Sequence, residues 1–216
     1  MTGAEASISI VMPVLNEAAS IAAAVADARR HAAECLVVDG GSSDRTAALA
    51  FEAGAIVIGA PRGRAVQMNA GAERACSDVL LFVHADCRLP DHAAWGRFDV
   101  KLDSPRRSLR LVGAMMNWRS RLSGIATGDQ AMFLTRTLYD SVGGFAPIPL
   151  MEDIDLSARL RRIARPACLR DRVLVSARRW EQRGVVRTVL EMWLWRGAFA
   201  VGASPERLHR LYYRQP

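Results

Sequence analysis

Cys35-Leu36-Val37-Val38-Asp39-Gly40-Gly41-Ser42-Ser43-Asp44 runs from an unbroken apolar stretch into a carboxylate and a glycine turn. An apolar run this short, without alternation, marks a strand covered on both faces. The turn carries helix-capping side chains, and the spacing predicts a helix over 46–53 that Gly54 stops. The same pattern extends in both directions. Upstream, residues 7–14 form a β-branched apolar run, and residues 17 to about 30 read as a helix with Ile21, Val25 and Ala28 on one face. Downstream come a strand over 55–58, a break at Pro61-Arg62-Gly63, a helix over 64–75 and a buried strand over 79–83. Such alternation predicts an α/β fold with a Rossmann-like, mostly parallel sheet and helices on both faces.

In open sheets of this kind, ligands bind at the carboxyl ends of the strands. Those ends carry Asn16-Glu17, Asp39 and His84-Ala85-Asp86. Beyond residue 100 the pattern is less regular. Residues 110–116 read as a strand, 131–135 as a short strand and 138–142 as a helix before the Gly143-Gly144-Phe145 turn. An amphipathic helix is expected over 152–163 and a last strand over 173–175. Residues 185–201 form a long apolar helix interrupted by Arg187, Glu191 and Arg196, and Pro205 opens a terminal helix. The expected organisation is one domain over 1–216 with a helical C-terminal extension over 184–216.

Composition removes several classes. Half of the 216 residues are apolar and 24% are charged, which argues against disorder. No apolar run reaches the ~18–20 residues of a membrane span. The amino terminus has no basic region before its apolar run, unlike a secretory signal, so a cytoplasmic protein is expected. The four cysteines, at 35, 76, 87 and 168, lack zinc or CxxC spacing and read as reduced, mostly buried thiols. The net charge of +7 is unevenly placed. Residues 1–100 hold 8 basic and 12 acidic side chains, whereas residues 101–216 hold 21 and 10, a net of +11. A basic second half implies an anionic partner: nucleic acid, a membrane surface or a phosphorylated substrate.

The candidate chemistry lies after the strands. Asp39 suits a base N–H or a ribose hydroxyl, or simply caps its turn. Asp86 and His84, two apart on an extended chain, point the same way and suit a shared Mg²⁺ or Mn²⁺. Glu152-Asp153 opens a helix, where the dipole alone favours acids, or supplies a general base. Thr127-Gly128-Asp129-Gln130 is a plain turn or presents Asp129 and Gln130 to a hydroxyl-bearing substrate. Arg178-Arg179-Trp180 heads the densest cationic-aromatic cluster, a solvated face or a set of forks for phosphate oxygens.

Taken in order, Pro13-x-x-Asn16-Glu17, Val38-Asp39-Gly40-Gly41-Ser42-Ser43-Asp44, Asn69-Ala70-Gly71, His84-Ala85-Asp86, Gly143-Gly144-Phe145 and Glu152-Asp153 resemble a family-2 glycosyltransferase of the GT-A fold, over roughly residues 7–176. A narrower resemblance rests on Ala60-Pro61-Arg62-Gly63-Arg64, Arg119-Ser120-Arg121-Leu122, Ala126-Thr127-Gly128-Asp129-Gln130-Ala131 and Ser176-Ala177-Arg178-Arg179-Trp180-Glu181. It is to radical-SAM/selenodomain-associated transferases, also described as arsenosugar-biosynthesis glycosyltransferases. The resemblance implies that Pro13, Glu17, Asp39 and Arg64 hold the base and ribose of a UDP- or GDP-sugar. It implies that Asp86 binds a divalent cation, Mn²⁺ or Mg²⁺, and that Asp153 is the catalytic base with Glu152 beside it. Asp129 and Gln130 then lie near the sugar or acceptor, and transfer inverts the anomeric centre. Residues 7–100 become the donor half and 101–183 the acceptor half. The usual first Asp of the DxD motif is His84 here.

The expected acceptor is a small molecule or a lipid-linked one, and for the latter peripheral contact at the inner face of the membrane is expected. One rival is a sugar-1-phosphate nucleotidyltransferase, but Pro13-Val14-Leu15-Asn16-Glu17 stands where its Gly-rich basic loop belongs. Another is a non-catalytic anion-binding or membrane-surface protein, supported by the basic half and by Trp193 and Trp195. Nucleic-acid binding lacks any accompanying motif.

Overall fold

The computed structural model describes residues 7–82 and 94–213, with backbone alone at Arg179 and Tyr213. The strands are β1 (Ile8–Val14), β2 (Glu34–Asp39), β3 (Ile56–Gly59), β4 (Val79–Phe82), β5 (Trp95–Asp103), β6 (Met132–Thr135) and β7 (Ala167–Ser176). The helices are α1 (Ile21–Ala28), α2 (Thr46–Glu52), α3 (Arg64–Arg74), α4 (Arg107–Ser123), α5 (Arg136–Ser141), α6 (Glu152–Ile163), α7 (Arg178–Arg183), α8 (Val185–Ala200) and α9 (Pro205–Tyr213).

One seven-stranded sheet runs β3-β2-β1-β4-β6-β5-β7. Its pairings are parallel except those of β6, which is antiparallel to β4 and β5. Six strands therefore end at one edge, and β6 begins there. The strand order reverses between β1 and β4, which opens a crevice at that edge.

The central strands bury both faces, as their unbroken apolar runs require. Val11, Leu36, Val38, Leu80 and Phe82 face a layer built from α3 and α6. Ile10, Met12, Val37 and Leu81 face the opposite layer of α1 and α2. α3 lies close against the sheet because Gly71 has no side chain: a Cβ there would sit 2.3 Å from Val11 Cγ1. A third cluster joins β5 to α4, α7 and α8 through Val100, Leu102, Leu109, Val112, Met116 and Trp180.

The second half corrects the expected elements. Residues 110–116 lie within the helix α4, not in a strand. Its buried residues Leu109, Val112, Met116 and Ser120 recur at helical spacing, and Gly124 closes it in the left-handed region (φ 68°). The strand of this region is β5, whose Phe98, Val100 and Leu102 alternate with Arg97, Asp99 and Lys101. Arg97 is fully buried on that strand. It pairs with Asp99 and donates to the Asn117 carbonyl at 3.0 Å. β7 spans ten residues rather than three, as an exposed edge whose polar side chains hide it. The thiols also differ from expectation. Cys35 is buried, and burial pushes it up to about 11, but Cys168 is half-buried and Cys76 exposed. Cys87 lies outside the described residues.

Candidate active site

A groove of about 1150 Å³ opens along the carboxyl edge of the sheet. Pro13, Val14 and Glu17 line it from the end of β1, and Arg62 and Arg64 from the start of α3. Asp129, Glu152 and Asp153 line it farther along, while Trp180, Trp195 and Arg196 come from α7 and α8. Beneath Arg64, a pocket the size of one water lies between Phe82, Gly128, Phe145, Glu152 and Asp153.

Gln67 holds the donor-side mouth in shape. Its amide donates to the carbonyls of Val14 (2.9 Å) and Val38 (2.7 Å), bridging the ends of β1 and β2. The Gly-Gly-Ser-Ser turn is tied to the β1 end in turn. Asn16 N–H donates to Ser42 Oγ at 2.9 Å, and Ser43 N–H to Asn16 Oδ1 at 2.8 Å. Asn69, from the Asn-Ala-Gly motif, clamps the Gly143-Gly144-Phe145 turn. It accepts from Phe145 N–H (3.0 Å) and the Tyr139 hydroxyl, and donates to the Phe145 carbonyl (2.9 Å). Two of the motifs are thus one structural clamp, which sets the loop leading to Glu152.

The two carboxylates of α6 have different surroundings. Glu152 is buried, with Arg64 Nε 3.7 Å away. Burial, reinforced by the charge of Asp153, raises its pKa despite Arg64. Asp153 is half-buried. One of its oxygens accepts from Gly128 N–H and the other from Ile154 N–H, both at 2.7 Å. Arg119 and Arg196 lie within its field. Burial lowers both guanidiniums, Arg119 to about 10, and the charge of Asp153 offsets part of that.

Backbone strain concentrates here. The only non-glycine residues with positive φ among those described are Asn16 (55°), Ala131 (42°) and Met151 (70°). Each flanks a strand-end loop of the groove, a placement that costs about 1–3 kcal/mol per residue and marks functional sites.

The structure brings Pro13, Glu17, Arg64, Asp129, Glu152, Asp153 and Trp180 to one groove. Other expectations change. Asp39 is absent from the lining: its carboxylate accepts from Ser42 N–H at 3.1 and 3.2 Å and from the Ser42 hydroxyl, so it braces the turn. Gln130 is fully buried and closes the turn on Thr127, so it supports Asp129 instead of meeting substrate. Arg178 is exposed outside the lining. His84, Asp86 and the Arg179 side chain lie outside the described residues. Among the described residues, no three His, Cys, Asp or Glu groups converge as metal ligands. Sequence reasoning missed Arg196 and Arg119 as site cations. Arg196 was visible as one of three charges that interrupt an apolar helix.

Residues 9–106 match the family model for Glycosyl transferase family 2. This glycosyl transferase family 2 match covers β1 to β5 and includes Pro13, Val14, Glu17, Arg62 and Arg64 of the groove. No curated protein sequence matches the chain. Among solved structures, the chain is similar to glucosyl-3-phosphoglycerate synthase from Mycobacterium tuberculosis, in complex with Mn²⁺, UDP and glucosyl-3-phosphoglycerate. The identity is 20% and the TM-score 0.55, covering 79% of this chain and 71% of that one. It is also similar to a mannosyltransferase from Pyrobaculum calidifontis in complex with GDP-Man and Mn²⁺, at 15% identity and TM-score 0.59, covering 80% and 57%. A further mycobacterial protein aligns at 21% identity and TM-score 0.55, and the chain spans 66% of its length. At these identities the likeness establishes the fold, which is that of the GT-A glycosyltransferases.

Proposed function

We propose that this glycosyltransferase moves a sugar from a UDP- or GDP-sugar to an acceptor hydroxyl, with inversion, using Asp153 as general base. The observation that carries the proposal is the position of Asp153. Its carboxylate lines the groove where donor-side and C-terminal walls meet, held by one backbone N–H on each oxygen. Lone pairs remain on both oxygens to take the acceptor proton.

The donor half, 7–100, supplies Pro13, Glu17 and Arg64 to the nucleoside, and Asp39 braces the turn beside them. The acceptor half, 101–183, supplies Asp129 and Trp180. Arg196, from the extension over 184–216, replaces Arg178 as the cation for the diphosphate. Glu152 and Arg64 form the wall between the two sides.

The donor set also fits a divalent cation. β4 ends at Phe82 beside Glu152 and Asp153, and the next carboxylate along the chain is Asp86, with His84 before it. These oxygen and imidazole donors suit Mn²⁺ or Mg²⁺. Two of the structures named above, the glucosyl-3-phosphoglycerate synthase and the mannosyltransferase, contain Mn²⁺ with UDP or GDP-Man, which supports the same choice. Bound there, the cation offsets charge developing on the diphosphate leaving group. The likeness to radical-SAM-associated transferases contributes the reaction class, not the acceptor.

Asp153→Asn tests the proposal: transfer should fall about 10²–10⁴-fold while donor binding persists. Turnover near wild type would remove Asp153 as the base. Retained anomeric configuration by product NMR would overturn inversion.

A further inference from the structure

The helices α4 and α8 are apolar on the sides that face away from the protein. Leu109, Val112, Met116 and Ser120 of α4 pack toward the sheet. Leu111, Met115, Trp118 and Leu122 recur at i, i+4, i+7 and i+11 on another side of the helix, about 135° around from that buried stripe at 100° per residue. These four are 49–68% exposed. α8 repeats the arrangement. Val185, Val189 and Met192 join the same cluster against β5, and Trp195 lines the groove. Val186, Leu190, Trp193 and Leu194, about 120° around the helix, are 62–73% exposed. A helix that is apolar all round is ordinarily covered on every side. Here two helices that share one hydrophobic cluster with β5 leave such stripes open, each with an exposed tryptophan.

The charge on the same helices selects the occupant. α4 carries no acid; its Arg121 pairs with Asp99 at 2.8 Å and its Arg119 meets the charge of Asp153, which leaves Arg107 and Arg110 on the exposed side. α8 carries Arg187 and Arg196 and one acid, Glu191, which Arg187 (2.7 Å) and Arg183 (3.8 Å) already hold. Arg106, Arg107 and Arg110 are exposed where α4 begins. A second copy would set this arginine rim against itself, and like charges across an interface are costly. Exposed tryptophans and leucines rimmed by arginine match the acyl boundary and headgroups of an anionic bilayer.

We propose that the outer faces of α4 and α8 seat this protein on an anionic phospholipid surface. Trp118, Trp193, Leu122 and Leu190 enter the acyl boundary and the arginine rim meets lipid phosphates. The groove, lined by the other side of α8, then opens next to the membrane. This stands apart from the donor-binding proposal, since it needs no nucleotide.

The test is flotation of the full chain with phosphatidylcholine vesicles, with and without phosphatidylglycerol, following tryptophan emission. Wild type should float with the phosphatidylglycerol vesicles and shift its emission to the blue. Trp118→Ser/Trp193→Ser should lose at least about tenfold in partitioning with an unchanged unfolding midpoint, because both residues are exposed. Arg107→Ser and Arg110→Ser should each lose about fivefold. Failure of wild type to float, or equal binding by the tryptophan variant, would overturn the proposal. So would a concentration-dependent dimer that the tryptophan substitutions dissociate, which would assign the face to a second copy.

Discussion

Glu152 and Asp153 are neighbours on one helix turn, yet their environments separate them. Asp153 reaches the groove with two backbone N–H donors, whereas Glu152 sits in the wall and its pKa is raised, first by burial and then by Asp153. A carboxyl raised above its unfolded value binds more protons in the native state. Its contribution therefore favours folding at low pH and is lost as pH rises from the unfolded value through the folded one. Glu152→Gln should accordingly raise the thermal midpoint at pH 7, and the gain should shrink as pH falls toward the ordinary glutamate range. Thermal melts across pH decide this, and a midpoint lowered at pH 7 would show that the Arg64 contact outweighs the burial. The helix-opening pair was legible in sequence, because acids before an amphipathic helix stand out. The division of labour was not, since it depends on Arg64 and Gly128 arriving from distant segments.

At the scale of elements, two predictions distinguish clamp from substrate contact. Asn69 joins α3 to the Gly143-Gly144-Phe145 turn by three hydrogen bonds. Asn69→Ala leaves the Phe145 backbone groups without partners and should cost about 2 kcal/mol or more in denaturant unfolding. An unchanged midpoint would mean the turn holds without it. Arg196→Ala should weaken nucleoside diphosphate binding, measured by calorimetry, by at least tenfold more than it weakens nucleoside binding, while Arg178→Ala leaves both unchanged. The reverse order would return the role to α7. Alternation of apolar strand and helix made β1 to β4 legible. α4 was mistaken for a strand because Leu111, Met115, Trp118 and Leu122 fill the face that should be polar, which erases the helical period. β5 was missed although Phe98, Val100 and Leu102 alternate with Arg97, Asp99 and Lys101, because charged residues at every second position read as an exposed segment, and Arg97 is buried only through contacts the fold creates.

Across the whole molecule, the uneven charge resolves into two surfaces. The acidic first half carries the sheet edge and donor-side mouth, and the basic second half supplies Arg196 to the groove and arginines to the outer helical layer. Among the described residues, no helix is long and apolar enough to cross a membrane. The order of strand-end motifs made the location of the groove legible in sequence. Its closing wall was not, because α7 and α8 lie far down the chain and reach it only through packing on β5. The most direct measurement of the central claim is a thermal-shift series with UDP- and GDP-sugars, with and without Mn²⁺. A donor seated in the groove should stabilise the protein by ~2.7 kcal/mol at a hundredfold excess over Kd, more with the ion than without it. No stabilisation by any nucleoside diphosphate sugar, with or without Mn²⁺, would contradict the account.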